Sequence, residues 1–72
     1  MRNFQTGIYQ HYKGNKYIVL GVAKHSETLE ELVVYVTLYE NEESSIWVRP
    51  LAMFTENVVV DGNSVPRFKK VD

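Results

Sequence analysis

The sequence predicts a small all-β domain over residues 1–72, an SH3-like, partly open barrel of five or six antiparallel strands. The segments between its turn signals are short and rich in Val, Ile and Tyr, which is the composition of strands. Only residues 51–56 read as helical, and they form one turn. Five Tyr, three Phe and one Trp can build a core in a chain without cysteine, since each aromatic buries ~150–250 Å². An OB-like barrel is the alternative, but it usually needs a longer chain and a real helix.

The first half of the chain predicts three strands, at residues 7–12, 16–24 and 32–39. Gly21 lies inside the second strand, where glycine indicates a bulge or a sharp bend. The third strand is apolar on both faces, so it is central or curls until each face is covered. One turn of helix is an alternative for the polar connection before it, because Thr28 and Glu31 have the spacing of a capping box.

The second half predicts a fourth strand, the helical turn and a closing hairpin, at residues 45–49, 51–56 and 58–68. Pro50 ends the fourth strand because proline cannot donate to the ladder. Leu51 and Phe54, three residues apart, face inward from the helical turn. The hairpin follows from an Asp-Gly turn between apolar strands, and Pro66 implies an edge position for its second strand.

Composition excludes several classes of protein. The absence of cysteine excludes thiolate zinc sites and cysteine nucleophiles, and it favours the cytoplasm over secretion. No apolar run approaches the ~18 residues that span a bilayer, so no membrane partner is expected. The net charge of −1 is not the basic excess of a typical nucleic-acid binder. Basic residues nevertheless concentrate in the last third, which is compatible with one basic face.

Three consecutive residues, His25, Ser26 and Glu27, are of the types that build a hydrolytic triad. Consecutive residues of an extended chain point to alternating sides, whereas a triad needs three converging side chains. No Gly-x-Ser-x-Gly elbow is present either. We therefore assign no catalytic residue and expect a polar loop, with contact to a ligand at a groove's edge as the alternative. His11 and His25 lack the spacing of a metal motif, so no metal or cofactor is predicted.

Aromatic and arginine side chains mark the predicted groove. Tyr12, Tyr35 and Trp47 can supply stacking surface for a base or a proline. Arg49 and Arg67 have the forked geometry that suits phosphate or carboxylate, with structural ion pairs as their alternative role. The predicted ligand-binding residues are Tyr12, His25, Ser26, Glu27, Tyr35, Trp47, Arg49 and Arg67.

The segments "GIYQHYKGNKYIVLGVAKHSETLEELVVYVTLY", "WVRPLAMF" and "DGNSVPRF" together resemble the bacterial family called domain of unknown function 1653. The resemblance covers roughly residues 7–71, and the segment "ENEESS" falls in the family's variable loop. It implies a small, stand-alone cytoplasmic bacterial protein, and it implies no activity.

Three functions fit these observations. We favour a binding module whose aromatic and basic groove takes a nucleic acid, another phosphate-bearing molecule or a peptide. The second is a small enzyme with an acid–base pocket around His25, Glu27 and Arg49. The third is a structural domain whose edge strand pairs with itself or with a protein partner. The sequence does not set the oligomeric state.

Overall fold

The computed structural model describes residues 4–39 and 45–72. Within them the elements follow in the order β1 (Gly7–His11), β2 (Lys16–Lys24), β3 (Glu31–Thr37), β4 (Ile46–Pro50), α1 (Leu51–Phe54), β5 (Asn57–Val60), β6 (Asn63–Pro66) and β7 (Phe68–Lys70). The variable-loop segment "ENEESS" lies outside the described residues except for Ser45.

Five strands form one antiparallel sheet in the order β4-β3-β2-β1-β7, and β5 pairs with β6 in a second sheet. Because β4 and β7 are not paired with each other in the described residues, the larger sheet is not closed. The predicted small all-β, partly open fold with one short helical turn is confirmed. Seven strands form in the described residues instead of five or six. The predicted last strand is interrupted at Arg67, and the residues after it form β7, which pairs with β1 and not with the hairpin.

Glycine and proline shape the strands as the sequence predicts. The β2–β3 register shifts between Val19 and Gly21, so the predicted bulge is confirmed. Pro50 is the last residue of β4 instead of the first residue after it. This edge strand tolerates a residue that lacks an N–H group. The hairpin turn places Asp61 and Gly62 at φ 51° and 81°, the left-handed pair that two-residue hairpins require.

The core lies between the inner face of the larger sheet and α1. Its buried residues are Tyr9, Tyr17, Val19, Val33, Tyr35, Leu51, Phe54 and Phe68. Phe54 and Phe68 stack with their ring centroids 4.0 Å apart and their planes 4° from parallel. Leu51 and Phe54 face inward from the helical turn, as their spacing predicts. The short helix therefore serves mainly to deliver two apolar side chains to the sheet.

The connection between β2 and β3 is a hydrogen-bonded turn and contains no helix. The His25 N–H donates to the Glu30 carbonyl at 2.8 Å, and the Leu29 N–H donates to the His25 carbonyl at 2.9 Å. Leu29 has φ 63°, a left-handed conformation that ends any helical run. The helical alternative for this connection is therefore wrong. No helix in the described ranges has the length and apolar character needed to cross a bilayer.

Candidate functional site

A cavity of about 190 Å³ opens on the inner face of the larger sheet, where β2, β3 and β4 lie side by side. Its lining residues are Tyr17, Tyr35, Tyr39, Trp47 and Arg49. Tyr35 is directly opposite Trp47 in the β3–β4 ladder, and side chains at alternate positions share a face. Trp47 and Arg49 therefore project to the side on which Tyr35 and Val33 are buried. We call these five residues the aromatic–arginine site.

The tyrosines of the site contact one another edge to face. The Tyr17 ring lies 5.2 Å from Tyr35 and 5.7 Å from Tyr39 between centroids. The hydroxyls of Tyr17 and Tyr39 are 3.3 Å apart, within hydrogen-bond distance. Burial, followed by this hydrogen bond, raises the pKa of Tyr17 to about 12. Tyr17 is therefore neutral at physiological pH and does not repel an anionic ligand.

Arg49 is the cation of the aromatic–arginine site. Its guanidinium carbon lies 5.6 Å from the centroid of the Phe68 ring, within the range of a cation–π interaction. Its Nε atom is buried and has no hydrogen-bond partner. The ion pairs formed among the described residues, Arg67–Glu56 and Lys70–Asp72, do not involve Arg49. The guanidinium is thus held in place by an aromatic ring while part of its donor capacity is unused.

Further cations surround His11, which contacts the same Phe68 ring. The His11 ring meets Phe68 edge to face at 4.9 Å, and its Nδ1 atom accepts the Lys13 N–H at 3.1 Å. Burial lowers the pKa of His11, and the positive charges of Arg49, Arg67 and Lys13 lower it further. His11 is therefore neutral at neutral pH, in a locally positive part of the molecule.

Arg67 and Tyr12 lie beside His11, outside the aromatic–arginine site. Arg67 donates from Nη2 to Glu56 Oε1 at 2.8 Å. This is a structural ion pair, the alternative role that the sequence analysis gave for this arginine. Its Nε atom, like that of Arg49, is buried without a partner. The exposed Tyr12 ring lies 4.5 Å from His11, and the Tyr12 N–H donates to the Arg67 carbonyl at 2.9 Å.

A larger cavity, of about 570 Å³, lies between the β1–β2 turn and the β5–β6 hairpin. Tyr12 and His11 line it, together with Asp61 and Lys69. It contains one tyrosine and no arginine, so its chemistry does not select one class of ligand. The smaller cavity is the better candidate because four aromatic side chains and Arg49 converge there.

His25, Ser26 and Glu27 are exposed and lie beyond the end of β2, past the Lys24–Glu31 pair. The His25 Nδ1 atom accepts the N–H groups of Glu27 at 3.1 Å and of Thr28 at 3.3 Å. None of the three predicted residues lines the aromatic–arginine site. The structure therefore assigns His25 a role in the turn, and it does not bring His25 and Glu27 to Arg49 as an acid–base pocket requires.

Of the predicted ligand-binding residues, Tyr35, Trp47 and Arg49 come together, and Tyr12 and Arg67 lie near them around His11. Sequence reasoning did not select Tyr17, Tyr39, His11 or Phe68. The alternation of β3 carries a signal for Tyr39, which is four residues after Tyr35. Nothing local marks Phe68, because its place depends on the pairing of β7 with β1. In the described residues, no three His, Asp or Glu side chains cluster as a metal site would.

Comparison with known proteins agrees with the fold and with the resemblance seen in the sequence. A family model described as "Protein of unknown function (DUF1653)" matches residues 7–70. A crystal structure of a DUF1653 protein from Bordetella bronchiseptica is 39% identical, with a TM-score of 0.93. The match covers 99% of this chain and 91% of that chain. No curated protein matches the sequence.

Proposed function

We infer that this chain, which belongs to the DUF1653 family of proteins of unknown function, is a binding module for a phosphate-bearing ligand. The observation that carries this proposal is the state of Arg49. Its guanidinium lies at a cavity walled by three tyrosines and Trp47, and its buried Nε has no partner. A ligand that places a phosphate on Arg49 and an aromatic base against the rings would use both features.

The energetics favour an anion at this position. A buried donor without a partner costs roughly 1–3 kcal/mol, and a small shift of the Arg49 side chain that brings Nε to a phosphate oxygen would recover that cost. Arginine also binds phosphate with two parallel hydrogen bonds, which adds geometric specificity. Arg67 and Lys13, the other cations near His11, would attract the same ligand from a short distance.

The size of the cavity further limits which ligands can bind. Sites for drug-sized molecules occupy about 300–1,000 Å³, and the aromatic–arginine site has about 190 Å³. It therefore accommodates a single group, such as one base, while the remainder of the ligand follows the surface towards His11. A single-stranded nucleic acid has this form, since base–aromatic stacking contributes about 1–3 kcal/mol per base. No observation favours the peptide or enzyme alternatives, and a cytoplasmic location stays a prediction.

The test is a titration of the protein with short single-stranded DNA and RNA, in which tryptophan fluorescence is the readout. Trp47 is the sole tryptophan and lines the cavity, so its emission reports on the site itself. We expect a saturable change in emission at low salt and a steep loss of affinity between about 50 and 200 mM salt. Duplex DNA and inorganic phosphate alone should bind more weakly, because neither presents an unstacked base.

The variant Arg49→Gln should lower the affinity at least about tenfold, the loss expected for one charge-assisted contact. Lys24→Gln is the matched control, since it removes the same charge from an exposed position at the end of β2. The proposal is wrong if no oligonucleotide changes Trp47 emission at low salt. It is equally wrong if Arg49→Gln and Lys24→Gln reduce binding to the same degree.

A further inference from the structure

The larger cavity, of about 570 Å³, is big enough to hold a ligand group of its own. Its volume lies within the range of about 300–1,000 Å³ that is typical of sites for whole small molecules. Its polar and aromatic lining residues are Gln10, His11, Tyr12, Asp61, Asn63 and Lys69. By itself this lining selects no class of ligand, but the position of the cavity beside the aromatic–arginine site does.

The two cavities are connected through Phe68. The guanidinium of Arg49, which lines the aromatic–arginine site, lies 5.6 Å from the centroid of the Phe68 ring. The ring of His11, which lines the larger cavity, contacts the same ring edge to face at 4.9 Å. One aromatic side chain therefore separates a lining residue of one cavity from a lining residue of the other. Neighbouring nucleotides of a single strand can span such a gap when their bases are splayed apart.

Positive charge is concentrated where the two cavities approach each other. Arg49, Arg67 and Lys13 all lie close enough to His11 to lower its pKa. The Nε atoms of both arginines are buried without a partner, so neither guanidinium uses its full donor capacity. A phosphate that joins two nucleotides across this stretch would meet these cations, and arginine binds phosphate with directed hydrogen bonds.

Tyr12 is positioned as a stacking surface at the larger cavity. It is 40% exposed, and its ring lies 4.5 Å from the His11 ring between centroids. Its N–H donates to the Arg67 carbonyl at 2.9 Å, which ties its backbone to the residue before β7. A ring that its neighbours already hold in place loses little freedom when a base stacks on it. The Lys13 ammonium, 5.8 Å from the centroid of this ring, can reach a phosphate of the same ligand.

The polar lining of the larger cavity suits a base better than a phosphate. The carboxylate of Asp61 would repel a phosphate inside the cavity, but it can accept a hydrogen bond from the amino group of cytosine. Gln10 and Asn63 add two amides, which can hydrogen-bond the edge of an unstacked base. The base of a nucleotide would therefore enter this cavity, and its phosphate would stay outside.

We propose that the larger cavity is a second nucleotide subsite, in which Tyr12 stacks on the base next to the one held in the aromatic–arginine site. This inference rests on the proposed function, because the first base fixes where the second one lies. The phosphate between the two bases lies beside Arg49 and Arg67. The smallest ligand that fills both cavities is a dinucleotide with splayed bases, which a single strand provides and a duplex does not.

A titration with three ligands at low salt tests the proposal, with the emission of Trp47 as the readout of the aromatic–arginine site. The ligands are deoxycytidine monophosphate, a dinucleotide with two cytosines, and the same dinucleotide with one base removed at either end. The intact dinucleotide should bind at least about fivefold more tightly than the abasic ones, the gain expected for one stacked base. Since the two dinucleotides carry the same charge, this difference reports the second base and not the added phosphate.

Tyr12→Leu should abolish the gain from the second base and leave the affinity for the mononucleotide unchanged, because Tyr12 lies outside the aromatic–arginine site. Tyr12→Phe is the matched control, since it retains the aromatic ring and should retain the gain. Circular dichroism verifies that both variants are folded.

The failure of this inference differs from the failure of the proposed function. If the intact and abasic dinucleotides both change Trp47 emission with equal affinity, the second subsite is wrong while the first one stands. The same holds if Tyr12→Leu retains the gain, if Tyr12→Phe loses it equally, or if Tyr12→Leu weakens mononucleotide binding to the same degree. If no ligand changes Trp47 emission, the proposed function fails and the second subsite fails with it.

Discussion

Two regions of this molecule contain the side chains that suggest chemistry, and they differ in how those side chains are brought together. His25, Ser26 and Glu27 are consecutive and exposed, and their hydrogen bonds close a turn. Tyr35, Trp47 and Arg49 lie on two strands and line one cavity. The contrast teaches that proximity in sequence produced a local backbone motif, whereas pairing between strands produced the candidate site.

The two histidines repeat this contrast. Each accepts backbone N–H groups at Nδ1, from Lys13 to His11 and from Glu27 and Thr28 to His25. Only His11 also packs on Phe68 and has three cations around it. The same local hydrogen-bonding pattern therefore has different electrostatic surroundings, which are set by elements distant in sequence.

Phe68→Ala should have the largest effect on stability, and its effect should be confined to the core on the inner face of the larger sheet. Phe68 is 6% exposed, stacks on Phe54 and supports both Arg49 and His11. Truncating a buried Phe costs about 3–5 kcal/mol, a large part of the stability of a small domain. Urea unfolding measures the loss. Phe68→Leu should retain much of the stability, and a Phe68→Ala variant as stable as the wild type would contradict this account of the core.

His25→Ala should have a moderate effect confined to the turn. Removing the Nδ1 acceptor leaves the Glu27 and Thr28 N–H groups to water, and loss of such a cap costs about 1 kcal/mol. His25→Asn should restore most of it, because its amide oxygen can accept the same bonds. Thermal unfolding and oligonucleotide binding are measured together. A loss of binding in either variant would place His25 in the ligand site after all.

His11 should make stability depend on pH, with a smaller effect because the ring is partly solvated. Its pKa is lowered by burial and by the neighbouring cations, so below its usual value of about 6.5 the unfolded chain binds more protons than the folded one. The free energy of unfolding should therefore fall as the pH drops below about 6.5, and it should go on falling until the pH has passed the lowered pKa of folded His11. In His11→Gln this part of the slope should disappear. Urea midpoints across the range provide the measurement, and an unchanged slope would contradict the prediction.

Ser26→Ala combined with Glu27→Gln should have the smallest effect. Both side chains are exposed, and such substitutions change stability by about 0.5 kcal/mol or less. Oligonucleotide affinity should remain within about twofold of the wild type, since neither residue lines the aromatic–arginine site. Fluorescence titration checks this, and a clear loss of affinity would restore the predicted ligand-contacting loop.

Much of the fold could be predicted because its signals are local. Gly21 indicated the bulge, Asp61 and Gly62 the hairpin turn, and Leu51 with Phe54 the buried side of α1. The predictions were wrong where the conformation of a segment depends on contacts that its local pattern does not reveal. The final segment divides at Arg67 because β7 gains a partner in β1. The helical alternative near Thr28 failed because Leu29 adopts a left-handed conformation that closes the turn.

The sequence by itself determined the strands, the turns and the family, since alternation, left-handed φ angles and a missing N–H group act within a few residues. Only the tertiary structure decided which side chains share a cavity. Tyr17 meets Tyr39 through the β2–β3 register, and Arg49 reaches Phe68 because the two edge strands of an unclosed sheet approach each other. The physical reason is that such contacts depend on register and curvature, which are properties of the whole sheet.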